Sequence, residues 1–140
     1  MSIRQLREET VIKKGLNIKF PLRRGTDGAF ALNETSLDAI KDDLKILLIT
    51  NHGERLVHND FGANLRPLLF ENMNQDFEVR IQDAIVSALE RWMPFVTAKD
   101  IVVKTGQNNL DLNPNEVTIF ISFSVNGSSL EDSLEVRMSV

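Results

Sequence analysis

The chain has no cysteine and no tyrosine, and only one tryptophan, two histidines and four prolines in 140 residues. Without cysteine there are no disulfides and no thiolate zinc sites, which fits folding in a reducing cytosol. No apolar run approaches the roughly 20 residues of a membrane-spanning helix. The N-terminus lacks the hydrophobic stretch of a signal peptide, so secretion by that route is not expected. One tryptophan and no tyrosine leave few platforms on which a sugar ring could stack. None of the serines stands in a nucleophile elbow, and neither common glycine-rich phosphate loop is present. There is no internal repeat and no low-complexity tract.

What remains is an ordinary globular composition, 42% apolar and 26% charged, in a length that suits one domain. A chain of this size buries roughly two-thirds of its unfolded surface, enough for a core. The net charge of −4 hides an asymmetry: residues 1–25 hold seven bases and two acids and are +5, whereas the rest is −9. We therefore read residues 1–25 as a basic arm and 26–140 as a single domain. A basic arm docks on an acidic partner or on nucleic acid. The arm lacks the interleaved aromatics of a single-strand stacking platform, so a protein partner is expected.

Within the arm, Asn17-Ile18-Lys19-Phe20 alternates and meets Pro21, the pattern of a short edge strand. Arg23 to Phe30 reads as a loop. The first helix is expected over Ser36–Thr50, with Leu37, Ile40, Leu44, Leu47 and Leu48 on one face. Asp38, Lys41, Asp42 and Lys45 fall mainly on the other, while Ile46 and Ile49 widen the apolar surface near the end. Thr35-Ser36-Leu37-Asp38 is a candidate cap, with Asn33 competing. Asn64–Phe70 reads as a short helix or turn that packs its leucines, and Pro67 can be accepted in a first helical turn.

The longest helix is expected over Gln75–Met93, capped by Asn74, with Phe77, Ile81, Ala84, Ile85, Ala88, Leu89 and Trp92 as its buried stripe. Pro94 stops it. Trp92 is expected to be buried at the helix end. The period then changes to two. Ile101–Thr105 is β-rich, Val117 to Val125 presents one wholly apolar face, Asn126-Gly127 marks a turn, and Leu134 to Val140 alternates again. Helices first and strands last predict an α+β fold: two main helices packed on a small, mostly antiparallel sheet of three to four strands. The fourth strand would be Ile18–Phe20.

The most distinctive stretch is the loop from Asn51 to Gly62. Gly53-Glu54-Arg55 opens it, Asp60-Phe61-Gly62 closes it, and Leu68-Leu69-Phe70-Glu71 follows. Glycine before a charged pair predicts a tight turn presenting two side chains. Together these pieces resemble the signature of the small baseplate wedge protein of contractile-tail phages, a family that includes the corresponding baseplate subunit of type VI secretion systems. The resemblance runs from about Leu37 to the C-terminus. The type VI relatives usually carry Glu-Pro-Arg where this chain has Gly53-Glu54-Arg55, with no intervening proline.

The resemblance implies a structural subunit of the virion tail baseplate, assembled in the host bacterial cytoplasm. It further implies initiation of the tail sheath, with wedge proteins and the sheath protein as partners. No cofactor, membrane, nucleic acid or small-molecule substrate is implied. On this reading Glu54, Arg55, Asp60, Phe61 and Gly62 form one partner-binding surface, with the loop docking on the helical core of the wedge. Leu134, Glu135, Val136, Arg137 and Met138 form the other, where partner strands add to the sheet edge. The strand containing them ends the given sequence, so no following segment is expected to cover its edge.

Members of the family have also been called lysozyme-like, so a tail glycosidase is the alternative. It needs two carboxyls, one with a raised pKa in an apolar pocket. Glu54 and Asp60 are the pair to nominate, but Arg55 adjoins Glu54, and an ion-paired glutamate is pushed down. His52 and His58 lack the third ligand of a metal site. A regulatory adaptor is a third class, but it would not need a second docking surface.

Overall fold

The computed structural model describes residues 16–25, 29–33, 35–71, 76–106, 113 and 115–139. Most of the basic arm, residues 1–15, lies outside them, as do Asn74 and Gln75 at the expected helix start and Val140 at the strand end. The chain divides into two compact units, Met1–Asp42 and Asp43–Val140.

In the first unit, β1 (Asn17–Ile18) pairs antiparallel with β2 (Leu32–Asn33). This corrects the expected fourth strand: Ile18 belongs to a separate two-stranded hairpin, not to the main sheet. The segment read as a loop continues that hairpin, with an isolated bridge between Arg24 and Phe30. Helix α1 (Ser36–Ile49) follows. Thr35 is its cap, its hydroxyl oxygen accepting the Asp38 N–H at 3.2 Å while its O–H donates to the Asp38 carboxylate.

Asn33, the competing cap, is instead buried and donates its side-chain N–H to Asp42 at 2.7 Å. Asp42 also accepts the Phe20 N–H at 3.0 Å. It was expected on the solvated face of α1, yet it is buried. The hairpin lies across it and supplies two donors, which offset the cost of taking a carboxylate out of water.

In the second unit, the remainder of α1 buries Leu44, Leu47 and Leu48 as its spacing predicts, whereas Ile49 is exposed. Helix α2 (Leu65–Leu69) accommodates Pro67 and buries Leu65 and Leu69. Helix α3 (Phe77–Trp92) buries Phe77, Ile81, Ile85, Ala88 and Leu89. It ends where Met93 N–H donates to Leu89 O at 2.8 Å and Pro94 removes the next donor.

Strands β3 (Val96–Thr105), β4 (Glu116–Val125) and β5 (Glu131–Ser139) form an antiparallel sheet in that order, with β4 central. The inner face carries Val103, Val117, Ile119, Ile121, Phe123, Leu134 and Val136, all buried. Burying each such side chain contributes roughly 1.5–3 kcal/mol, and α3 packs along β3. β3 starts five residues before its expected beginning at Ile101. Ala98-Lys99-Asp100 has poor strand propensity, but pairing with β4 carries it through a register shift between Ala98 and Asp100. No helix among the described residues is long and apolar enough to cross a membrane.

If Asp42 fastens the hairpin, Asp42→Ala should cost about 1–2 kcal/mol locally. Hydrogen exchange at Phe20 N–H should speed up while β4 amides keep their protection. Unchanged exchange at Phe20 would show that the hairpin is held otherwise.

Candidate functional site

The loop between α1 and α2 is closed at its neck. Thr50 hydroxyl and N–H both donate to Ile46 O, Ala63 N–H donates to Leu47 O at 2.9 Å, and Asn64 N–H donates to Thr50 O at 3.4 Å. Leu47 O, one of the last carbonyls of α1, which lack intrahelical partners, is thus met by the returning chain, as is Thr50 O just beyond the helix. Gly62 makes this approach possible. Its φ is +110°, and a Cβ there would lie 2.1 Å from Thr50 O.

Inside the neck, two asparagines exchange caps. Asn51 Oδ1 accepts the Arg66 N–H in the first turn of α2 at 3.3 Å, and Asn64 Oδ1 accepts the His52 N–H at 3.2 Å. Glu54 secures Asn51, accepting its backbone N–H and its side-chain N–H, each at 2.9 Å. These two hydrogen bonds hold the Glu54 carboxyl below the ordinary value of 4.5, with a further contribution from the charge of Arg66. The lowering expected from a pair with Arg55 therefore has a different source. Arg55 instead places its guanidinium 3.6 Å from the centre of the Phe61 ring.

The far side of the loop stacks on the end of α3. Phe61 meets Trp92 edge-on, ring centres 5.0 Å apart, and His58 does the same at 5.4 Å. Asp60 pairs with Arg91, whose guanidinium also lies 5.2 Å from the Trp92 ring. Trp92, expected to be buried, is half-buried and serves as the platform for the loop. An edge-on aromatic pair adds about 0.5–1.5 kcal/mol beyond burial, and an exposed cation over a ring about 0.5–1 kcal/mol.

Asp60, Phe61 and Gly62 thus all have partners within the chain, while the tip stands free. Leu56 is 100% exposed and Val57 is 72% exposed. Sequence reasoning missed this apolar tip and the anchors Asn51, Asn64 and Arg91. Beneath the loop, a cleft of about 350 Å³ is bordered by His52, Asp60, Leu68, Ser87 and Trp92. Among the described residues no three His, Cys, Asp or Glu side chains are grouped to hold a metal.

The other nominated residues lie on β5. Leu134 and Val136 are buried, Met138 is half-buried, and Glu135 and Arg137 are exposed and paired with each other at 2.7 Å. Ladder bonds alternate along an antiparallel strand, so one contact and the register fix their phase. Val125 N–H donates to Leu130 O at 3.0 Å, and the register runs from that pair to Ile121↔Leu134 and Ile119↔Val136. Leu134, Val136 and Met138 therefore bond to β4, and the N–H and C=O groups of Ser133, Glu135, Arg137 and Ser139 point to the free edge.

Ser133 N–H is met by Asp132 Oδ1 at 2.7 Å. The same phase argument turns Ile101 O on β3 outward, where it accepts from Gln82 of α3 at 2.9 Å. Among the described residues, no hydrogen bond reaches the outward N–H groups of Glu135 and Arg137.

A small α+β domain with an anchored loop and an open sheet edge is the build of an assembly subunit. The chain belongs to the family of baseplate wedge proteins of contractile-tail phages: residues 34–129 match the family described as baseplate wedge protein gp25. Baseplate protein W of Escherichia phage P2 is 27% identical over 109 residues, spanning 70% of this chain and 95% of that protein. The fold is similar to a crystal structure of a putative tail lysozyme from Geobacter sulfurreducens, with TM-score 0.67 and 20% identity over 80% of this chain and 96% of that one. It is also similar to a chain of the anti-feeding prophage baseplate solved by cryo-EM, with TM-score 0.57 and 19% identity over 86% and 81%.

The two loop glycines should differ sharply. Gly62→Ala meets both a positive φ and the Thr50 carbonyl, and should cost roughly 2–4 kcal/mol in chemical denaturation. Gly53, with φ +86° and no atom within 4 Å of a built Cβ, should lose only about 1 kcal/mol as Gly53→Ala. Equal losses would show that the neck yields.

The loop should also respond to acid. A depressed carboxyl favours the folded arrangement when ionised, so this contribution is complete above the ordinary value and is lost as pH falls through the lowered one. Followed by NMR, the Asn51 side-chain amide should titrate with a midpoint below 4.5. A midpoint at or above 4.5 would show that Glu54 is not held by Asn51.

Proposed function

We propose that this chain is a structural wedge subunit of the tail baseplate that templates the first ring of the contractile sheath, and that it does so by strand addition at β5. The observation that carries the reading is the phase of the β5 ladder. Unpaired outward N–H and C=O groups are a template for a partner strand. The edge of β3 is partly covered by Gln82, which leaves β5 as the better edge. Its inner residues fix the strand to the core, and the Glu135–Arg137 pair restrains indiscriminate pairing without blocking the backbone. The sheath protein is the proposed occupant. Neighbouring wedge proteins are assigned to the loop, where Glu54 and Arg55 stiffen a tip that presents Leu56 and Val57.

The same reading makes the chain a non-enzyme. A retaining or inverting glycosidase needs a carboxylic acid whose pKa is raised by apolar surroundings. Glu54 is exposed and shifted the opposite way, and Asp60 is engaged by Arg91.

Backbone recognition tolerates changes of outward side chain but not loss of the donor. Glu135→Ala should therefore leave sheath polymerisation on assembled baseplates nearly normal in electron micrographs. Arg137→Pro removes an outward N–H and should abolish it, although the N–H lost is not one that holds β5 to β4. Normal sheaths on Arg137→Pro baseplates, or on baseplates whose chain stops after Ser133, would sink strand addition at this edge.

A further inference from the structure

The β1–β2 hairpin precedes residues 34–129 and so lies outside the segment that matches the family. It is built inside out. Asn33 turns its amide inward to the buried Asp42, while the opposite face of the two short strands carries Ile18 and Leu32. Ile18 and Leu32 are register partners, and Leu16 and Phe30 stand just outside the two strands. All four are between 46% and 59% exposed, and nearby Leu22 is 66% exposed. Exposed leucines scattered singly need no explanation, but a contiguous stripe marks an interaction surface.

The hairpin does not offer its backbone. Lys19 N–H donates to Ala31 O, which makes Ile18 and Leu32 the pair without ladder bonds and turns the Ile18 N–H to the outer edge. Asn17 Oδ1 accepts that N–H at 2.7 Å, and Asp42 accepts the next free one, at Phe20. A partner must therefore be held by side chains. The described hairpin residues include Lys19, Arg23 and Arg24, all exposed, and no acid.

We infer that this face docks an amphipathic helix of a partner protein, one whose apolar stripe is flanked by aspartates or glutamates. The stripe is one side chain wide on each of two short strands. That matches the apolar face of a single helix rather than the plane of a bilayer, and the exposed bases of the same hairpin match acids. This would be a second recognition mode in the same chain, using side chains and charge where β5 uses main chain.

The test takes the full chain, isotopically labelled, and two synthetic helical peptides that share one leucine stripe. One peptide is flanked by glutamates and the other by lysines. The glutamate peptide should shift the amide signals of Ile18 and Leu32 and leave those of β4 in place. Leu32→Ser changes an exposed residue, so the native spectrum should persist while affinity falls roughly tenfold or more. Arg23→Glu with Arg24→Glu should weaken binding several-fold.

No binding of the glutamate peptide, equal binding of the lysine peptide, or binding that survives Leu32→Ser would each overturn the proposal. So would a dimer in sedimentation that Leu32→Ser abolishes, which would give the face to a second copy. Capture by phosphatidylserine vesicles in place of the peptide would give it to a membrane and overturn the proposal equally.

Discussion

A main-chain N–H or C=O that has no partner in a helix or ladder must be met by a side chain or left for something outside the molecule. The chain answers that constraint repeatedly with short amides and carboxylates. Asn17 covers its own hairpin edge. Asp42 takes the Phe20 N–H. Asn51 and Asn64 exchange caps across the loop neck. Gln82 meets β3, and Asp132 meets the first outward N–H of β5. Against this background, the outward N–H groups of Glu135 and Arg137 form a short open stretch whose start is set by Asp132.

The loop follows a different logic. Its neck is fixed by hydrogen bonds and by the close approach at Gly62, and its far side by Phe61 and His58 on Trp92. Several modest contacts, each worth about 1 kcal/mol, converge from α1, α2 and α3 on eleven residues between Asn51 and Phe61. The result is a stiff stem with an apolar tip. A tip ordered in advance loses less conformational entropy when a partner covers it. That is the physical sense in which Glu54 and Arg55 serve docking on this account: each turns back to stiffen the stem, Glu54 on Asn51 and Arg55 on Phe61.

Much of this was legible in the sequence because it is local. The Leu44–Leu48 spacing, the α3 stripe and the alternation of β4 and β5 each state a period and a buried face within one element. What was not legible depends on pairing across distance. Asp42 looks like a solvated helix residue until a hairpin beginning more than twenty positions earlier supplies its donors. Ala98-Lys99-Asp100 becomes strand only because β4 lies beside it. Trp92 had a plausible place in the core, and nothing near it in sequence points to a loop some thirty residues upstream. Glu54 and Arg55 invite reading as a pair because they are adjacent, yet their side chains part to different partners.

The claim on which the account rests is that β5 receives a partner strand through its outward backbone. Residue-resolved hydrogen exchange on baseplates before and after sheath assembly tests it directly. Leu134, Val136 and Met138 amides, already bonded to β4, should be protected in both states. Glu135, Arg137 and Ser139 amides should exchange freely on the bare baseplate and become protected once the first sheath ring forms. Fully assembled sheaths with those three amides still exchanging freely would contradict it.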